Sequence, residues 1–253
     1  MRDMVASAEM AKLAVITGAS AGLGAEFARQ LAAMGYGLLV VARRRERLEG
    51  MGAEVWVADL SVEEEVEKLA RHLEGRGDVA MLVNNAGFGT KGSLATTEWA
   101  PQMEMHRLHV LATLRLTRAV LPQMMKRGTG AIVNVGSVAG FARAAENVSY
   151  CATKAWTNAF SEGLWLELQG TGVTVQVLCP GFTYTDFHDV LGVDRRKHAD
   201  SLWMTAEFVV GESLRNLGKL YVVPGWRYKM FVALWTKLPT WARLRAEFAR
   251  IRR

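Results

Sequence analysis

The sequence predicts a single doubly wound α/β domain, a seven-stranded parallel sheet with helices on both faces. Three observations lead there. Half of the 253 residues are hydrophobic and 22% are charged, the balance of a chain with a core to bury rather than a disordered one. Short apolar, β-branched runs alternate with longer amphipathic stretches, which is the order of strand and crossover helix. The apolar runs are continuous rather than alternating, as strands covered on both faces require.

The strands are expected at 13–17, 38–42, 54–58, 79–83, 131–135, 173–178 and 220–223. Between them, helical periodicity is expected at 23–34, 62–73, 99–125, 149–168 and 206–217. Right-handed crossovers through these helices make the sheet parallel. No Pro/Gly/Ser linker, low-complexity tract or repeat of 20 to 50 residues divides the chain. Residues 1–225 are therefore expected to form one domain, with a separate tail at 226–253.

Composition also excludes several classes. No apolar run reaches the ~18 residues needed to cross a bilayer, because the longest candidate, around 230–238, is cut by Lys229 and Lys237. Residues 1–12 carry Arg2, Asp3 and Glu9 and do not read as a secretory signal. A cytoplasmic location is expected, peripheral to the inner membrane surface if the tail binds lipid. Cys151 and Cys179 give neither a disulfide framework nor a metal cluster and are expected as packed thiols. The net charge of +6 is confined to the end of the chain, since residues 211–253 hold ten Lys or Arg against Glu212 and Glu247 and the first 210 residues carry −2. No basic patch crosses the main body, so nucleic acid is not an expected partner.

The first strand runs into Thr17, Gly18, Ala19, Ser20, Ala21, Gly22, Leu23 and Gly24 and then into a helix. Glycines permit a tight turn and the close approach of a pyrophosphate to the free N–H groups of the helix start. After the second strand come Arg43, Arg44 and Arg45, where an NAD enzyme usually places an acid for the ribose hydroxyls. Guanidinium groups instead suit a 2′-phosphate, and NADP(H) is the expected cofactor. The other reading, that this run is the solvated start of a helix, fits Arg45 and Arg47.

Ser137 follows the fifth strand, and Tyr150 and Lys154 lie four apart on an expected helix, on one face. A tyrosine, ordinarily titrating near ~10, serves as an acid–base group at neutral pH if an ammonium and a cationic nicotinamide stabilise its phenolate. Serine can hold the substrate oxygen against the phenol.

From about Lys12 to Val223 the chain resembles the classical short-chain dehydrogenase/reductase family, whose fold is Rossmann-like. Thr17 to Gly24 is similar to its T-G-x-x-x-G-x-G, Asp59-Leu60 to its acid after the third strand, and Asn84-Asn85-Ala86-Gly87 to its N-N-A-G. Ser137, Tyr150 and Lys154 match its serine and Y-x-x-x-K, and Pro180-Gly181-Phe182-Thr183-Tyr184-Thr185 matches its P-G-x-x-x-T. The resemblance implies that Asp59 contacts the adenine amino group and that Asn85, Ala86 and Gly87 pass the adenosine ribose. Lys154 would also hold the nicotinamide ribose, and Gly181, Thr183 and Thr185 the nicotinamide end. Arg43 matches the position linked to NADPH preference. Phe182 to His188 and Val223-Pro224-Gly225 are most similar to bacterial reductases distantly akin to 3-ketoacyl and steroid reductases. The family often pairs its two long helices, here 99–125 and 149–168, which implies a homodimer or homotetramer.

One departure stands out. Where the family usually has an asparagine that completes a tetrad and positions a relay water near the lysine, this chain has His109. Asn134 is no substitute, being a strand residue that the family often carries structurally. His109 is expected to be neutral beside Lys154 and to impose an acid limb on activity as it protonates near pH ~6.5. The alternative is a histidine that fills space.

The resemblance implies that residues 1–225 are the catalytic domain and that about 183–205 form a lid over the substrate. This stretch carries Phe187, His188, Val190, Leu191, Leu202, Trp203 and Met204, which favours an apolar substrate or packs the lid on the body. Arg195, Arg196, Lys197 and His198 suit an anionic substrate tail or a solvated run. From Trp226 on, Leu234, Leu238, Trp241, Leu244, Phe248 and Ile251 recur at helical spacing among Arg243, Arg245, Arg250, Arg252 and Arg253. This reads as one basic amphipathic helix, facing either a membrane surface or protein. The expected activity is NADPH-dependent interconversion of a lipophilic ketone or aldehyde and its alcohol. The rival from another class is a catalytically silent NADPH-binding scaffold or sensor.

Overall fold

Seven strands form one parallel sheet in a computed structural model that describes residues 12–187 and 199–251. They are β1 (Leu13–Thr17), β2 (Gly37–Ala42), β3 (Glu54–Val57), β4 (Val79–Asn84), β5 (Gly130–Val135), β6 (Val173–Leu178) and β7 (Tyr221–Val222). Their spatial order is β3-β2-β1-β4-β5-β6-β7, and every neighbouring pair is parallel. All seven expected strands are present. β7 is shorter than expected and stops just before Pro224, which has no N–H to continue a ladder.

The continuous apolar runs are explained by burial on both sides. Leu13, Val15, Leu39, Val41 and Leu82 face α2 (Glu63–Glu74), α4 (Thr113–Arg127) and α5 (Val148–Glu167), meeting Leu69, Leu73, Leu116, Val120 and Leu164. Ala14, Ile16, Leu38, Val40 and Val83 face α1 (Gly22–Ala33) and α6 (Ala206–Arg215), meeting Phe27, Leu31, Val209 and Val210. Each such Val, Leu, Ile or Phe side chain, fully buried, stabilises the fold by roughly 1.5–3 kcal/mol relative to exposure.

A polar chain crosses the first of these layers. Asn84 Nδ2 donates to Thr117 Oγ1 at 3.1 Å and to Asn134 Oδ1 at 2.9 Å, and Asn134 Nδ2 donates to Ser161 Oγ at 2.8 Å. With Asn134 fully buried, these bonds fix β4, β5, α4 and α5 in one register and leave no amide unsatisfied.

Two expectations about helices need correction. The stretch expected as one uniform helix at 99–125 is α3 (Trp99–His106), a π-helical segment Arg107–Ala112, and α4. A π turn is wider than an α turn and shifts the face on which later residues lie, which side-chain periodicity does not reveal. The tail, expected as one helix, is two: α7 (Trp226–Trp235) and α8 (Thr240–Ile251). Pro239 separates them, because it has no N–H to donate and forces the preceding residue out of helical geometry. Among the described residues no helix is long and apolar enough to cross a membrane, and no cluster of metal-binding side chains occurs. Cys151 and Cys179 are buried thiols outside any disulfide, as expected.

Candidate active site

Because the strands are parallel, the loops after β1 to β6 emerge at one edge of the sheet, where open α/β folds bind ligands. There they enclose a cleft of ≈ 360 Å³. One end is built from the turn after β1, which contributes Gly18, Ser20, Gly22 and Leu23. Gly24 lies outside the cleft, and a Cβ there would overlap the Gly18 carbonyl oxygen, so only glycine lets α1 begin this close to the turn. The cap residue of α1, Ala21, offers no side-chain bond and the first turn holds no acid. The positive helix end is thus left for an anionic ligand.

Thr17 joins this turn to the next loop. Its Oγ1 accepts the N–H groups of Asn85 and Ala86, both at 3.0 Å, while Asn85 Nδ2 donates to the Thr17 carbonyl at 2.9 Å. Asn85, Ala86 and Gly87 consequently line the cleft beside the glycine turn. Asp59 and Leu60 close the same end. Burial works against the Asp59 carboxylate, but the Ser61 hydroxyl and N–H, at 2.7 and 2.9 Å, and the Arg43 guanidinium, at 3.6 Å, hold it below its ordinary range. Arg43 and Arg44 both reach the cleft, and Arg44 Nη2 donates to Ser20 Oγ at 3.3 Å.

At the other end Ser137, Tyr150 and Lys154 come together with Pro180, Gly181, Thr183 and Thr185. Lys154 Nζ donates to the Val135 carbonyl at 2.8 Å and stands 5.7 Å from the centre of the Tyr150 ring. Burial pushes the Lys154 ammonium down to about 8. Burial also pushes the Tyr150 phenol up, against a hydrogen bond with Ser137 that lowers it. Both side chains are over nine-tenths buried, and this desolvation sets both directions.

His109 does not line the cleft. It sits in the π segment, 3% exposed, with Nδ1 2.9 Å from Thr153 Oγ1. Thr153 uses its one hydroxyl proton on the Tyr150 carbonyl at 2.9 Å, so Nδ1 of His109 must be the donor and Nε2 carries the lone pair. Nε2 lies against Gly87, where a Cβ would come within 2.6 Å of it, and it has no hydrogen-bond partner among the described residues. Burial first, then the Lys154 and His106 charges, hold the imidazole well below its ordinary pKa. This agrees with the expected neutral histidine. It also moves the acid limb expected near ~6.5 to lower pH.

Phe187, expected among the apolar lid residues, faces the Tyr150 ring at 5.8 Å and lines the cleft. Sequence reasoning missed several other residues that this arrangement uses. Phe88, Leu108 and Ser61 complete the cleft walls. Tyr228, on α7, accepts the Phe182 N–H at 3.0 Å and donates to the Leu202 carbonyl at 2.9 Å. Its ring covers Gly181, where any Cβ would overlap it. The one available signal was its place four residues after Pro224. In the lid, Trp203 stacks between Phe182 and Tyr184 at 5.1 and 5.3 Å, which makes it a packing residue. Met204 pairs with Phe182 and Tyr184 through backbone bonds of 3.0 and 2.9 Å. His188, Val190, Leu191, Arg195, Arg196, Lys197 and His198 lie outside the described residues, as do Arg252 and Arg253.

The chain as a whole is similar to several known proteins. A 3-oxoacyl-(acyl-carrier-protein) reductase, FabG, of Haemophilus influenzae is 31% identical over 187 residues, covering 71% of this chain and 77% of its own. Among solved structures, a short-chain dehydrogenase from Sphingobium yanoikuyae in complex with NADPH superposes with a TM-score of 0.79 at 30% identity, covering 90% of this chain and 97% of its own. The bulky-bulky ketone specific alcohol dehydrogenase of Comamonas testosteroni gives 0.76 at 28% identity, covering 91% and 96%. The family model described as short chain dehydrogenase matches residues 12–195. With its parallel sheet, its glycine turn and its Ser137–Tyr150–Lys154 cluster, this chain belongs to the short-chain dehydrogenase family of oxidoreductases.

Proposed function

We propose that the chain is an NADPH-dependent carbonyl reductase, or the alcohol dehydrogenase of the reverse direction, acting on a lipophilic ketone or aldehyde. The observation that carries this reading is the meeting of Ser137, Tyr150 and Lys154 at one end of a cleft whose other end holds two arginines and a free helix start. The residues suit the dinucleotide: a glycine turn admits its pyrophosphate, and Arg43 and Arg44 suit a 2′-phosphate. The bound cofactor supplies the hydride. Ser137 Oγ holds the carbonyl oxygen, and Tyr150 passes its hydroxyl proton to that oxygen. Lys154, still mostly protonated at neutral pH, keeps a positive charge beside the phenol as its proton leaves. Phe187 and Phe88 give this end of the cleft an apolar wall. The names of the H. influenzae and C. testosteroni relatives, a ketoacyl reductase and a bulky-ketone enzyme, accord with this substrate class.

On the same reading residues 1–225 make up the catalytic unit and 226–253 an appended element. Association into a dimer or tetramer would cover Leu111, Leu114 and Leu166, which are 55%, 45% and 65% exposed on the π segment, α4 and α5. A location in the cytoplasm accompanies this proposal. Oxidation of NADPH, followed at its nicotinamide absorbance with a panel of aliphatic, aromatic and polycyclic ketones, tests the assignment. Turnover that Tyr150→Phe abolishes supports it. Tight NADPH binding with no turnover of any carbonyl would instead favour the scaffold or sensor.

A further inference from the structure

Helix α7 is apolar on two opposite sides, and only one of them is used by the fold. Tyr228, Val232 and Trp235 point inward, where Tyr228 and Val232 pack against Val177, Cys179 and Val223 and Trp235 Nε1 donates to the Phe141 carbonyl at 3.1 Å. Trp226, Met230 and Leu234, spaced four apart, form a ridge on the opposite side and are 66%, 52% and 62% exposed. Helix α8 repeats the pattern with Trp241, Leu244 and Phe248, at 69%, 50% and 56%. At 100° per residue, Arg227 and Lys229 fall on either side of the first ridge, and Arg243 and Arg245 on either side of the second. An apolar ridge flanked by cations matches the profile of a bilayer interface, where rings and aliphatic chains enter the acyl boundary and basic groups stay at the headgroups.

The charge selects among possible occupants. Residues 226–253 contain eight Lys or Arg and one acid, Glu247, although the whole chain is only +6, so the preceding 225 residues carry −1. Two copies joined through this face would bring two such cationic segments together, and like charges at close range oppose that contact. A negative surface is complementary, each basic residue near it being worth about 1 kcal/mol.

We infer that the outward ridges of α7 and α8 dock the protein onto an anionic lipid bilayer. The docking helix also carries part of the site. On its inner side Tyr228 holds the Phe182 N–H and the Leu202 carbonyl, and Arg227 Nη1 donates to the Ser201 carbonyl at 2.9 Å. Docking therefore holds the backbone of Phe182, Ser201 and Leu202 one helix diameter, ~10 Å, from the membrane surface, near where a lipid-dissolved substrate would arrive. The docking itself does not depend on the proposed carbonyl chemistry, and its test reads binding rather than turnover.

The experiment is sedimentation of the full chain with vesicles of equimolar phosphatidylglycerol and phosphatidylcholine, and with phosphatidylcholine alone. Binding is expected to the mixed vesicles, to weaken at high salt, and to shift the tryptophan emission to the blue. The combined variant Trp226→Ser, Met230→Ser, Leu234→Ser should lose affinity for these vesicles on the order of 100-fold while keeping its circular dichroism and cofactor affinity. The milder pair Leu244→Ser, Phe248→Ser, confined to α8, should weaken binding to a smaller extent. Failure of the full chain to sediment with the mixed vesicles overturns the inference. So does equal binding of the triple variant, or its conversion from a larger to a smaller oligomer in analytical ultracentrifugation with no change in vesicle binding, which would assign the ridge to a second copy.

Discussion

Replacing Lys154 by methionine should make the protein more stable while removing its activity. Methionine keeps the length of the stem and deletes the charge. An ordinary lysine titrates at 10.5 and Lys154 at about 8, so between these values the unfolded chain holds a proton that the folded chain has released. Stability due to this group therefore rises with pH across that window. Below about 8 the folded state bears the full cost of the buried ammonium, about 3 kcal/mol. Losing the bond from Nζ to the Val135 carbonyl offsets about 1 kcal/mol of the gain. Near neutral pH Lys154→Met should then be more stable by about 2 kcal/mol, which for a chain of this length raises Tm by roughly 4–8 °C. Urea denaturation of both proteins near pH ~7 and ~10 isolates the effect, because Cys179, whose thiol burial pushes up to about 12, and the buried tyrosines titrate in both. The advantage of the variant should shrink or vanish at the higher pH. A Lys154→Met protein that is less stable near neutrality, or whose advantage is the same at both pH values, would refute the reasoning.

Other consequences are open to measurement. Arg43→Ala should weaken NADPH roughly 10-fold or more while leaving NADH nearly unchanged, as loss of a charge-assisted phosphate contact requires; equal weakening of both in isothermal titration would show Arg43 to be merely solvated. Since the buried His109 imidazole resists protonation, the rate profile of the wild type should stay free of a His109 limb across the ordinary imidazole range. A limb centred there that His109→Asn removes would show the ring to be open to titration. Tyr228→Phe deletes two hydrogen bonds between α7 and the loops over the cleft, and about 1 kcal/mol for each predicts a KM for the carbonyl raised several-fold with kcat largely kept. A proportionate fall in kcat instead would place Tyr228 in the chemical step.

The sheet was legible in the sequence because both faces of its central part are buried, which leaves largely apolar runs such as Leu38 to Ala42. The cleft was legible where chemistry is local, in the glycine turn and in the four-residue spacing of Tyr150 and Lys154. What stayed hidden depends on distance and burial. Tyr228 meets Phe182 from 46 positions away, and no periodicity encodes such a meeting. Arg43 and Arg44 are adjacent, and only the path of the chain brings the second to Ser20. The π segment that carries His109 preserves a helical pattern of side chains while altering the turn. Pro239 is a visible exception, since its position alone marks the break between α7 and α8.

The pairing of β1 with β4 has a kinetic consequence. It joins residues 13–16 to 79–83, the longest sequence separation between any two neighbours in the sheet, so closing it carries the largest chain-entropy cost of any strand pairing. On one side lies a unit made from β1 to β3, on the other a unit made from β4 to β7. Thr17, bonded to Asn85 and Ala86, fastens the two together, and the cleft opens on that junction. A dinucleotide lying across it touches both units at once and so acts as a clasp, slowing their separation and favouring the closed chain by RT ln(1 + [L]/Kd). Resistance to unfolding and to proteolysis in this protein should accordingly rise with the cellular concentration of its cofactor.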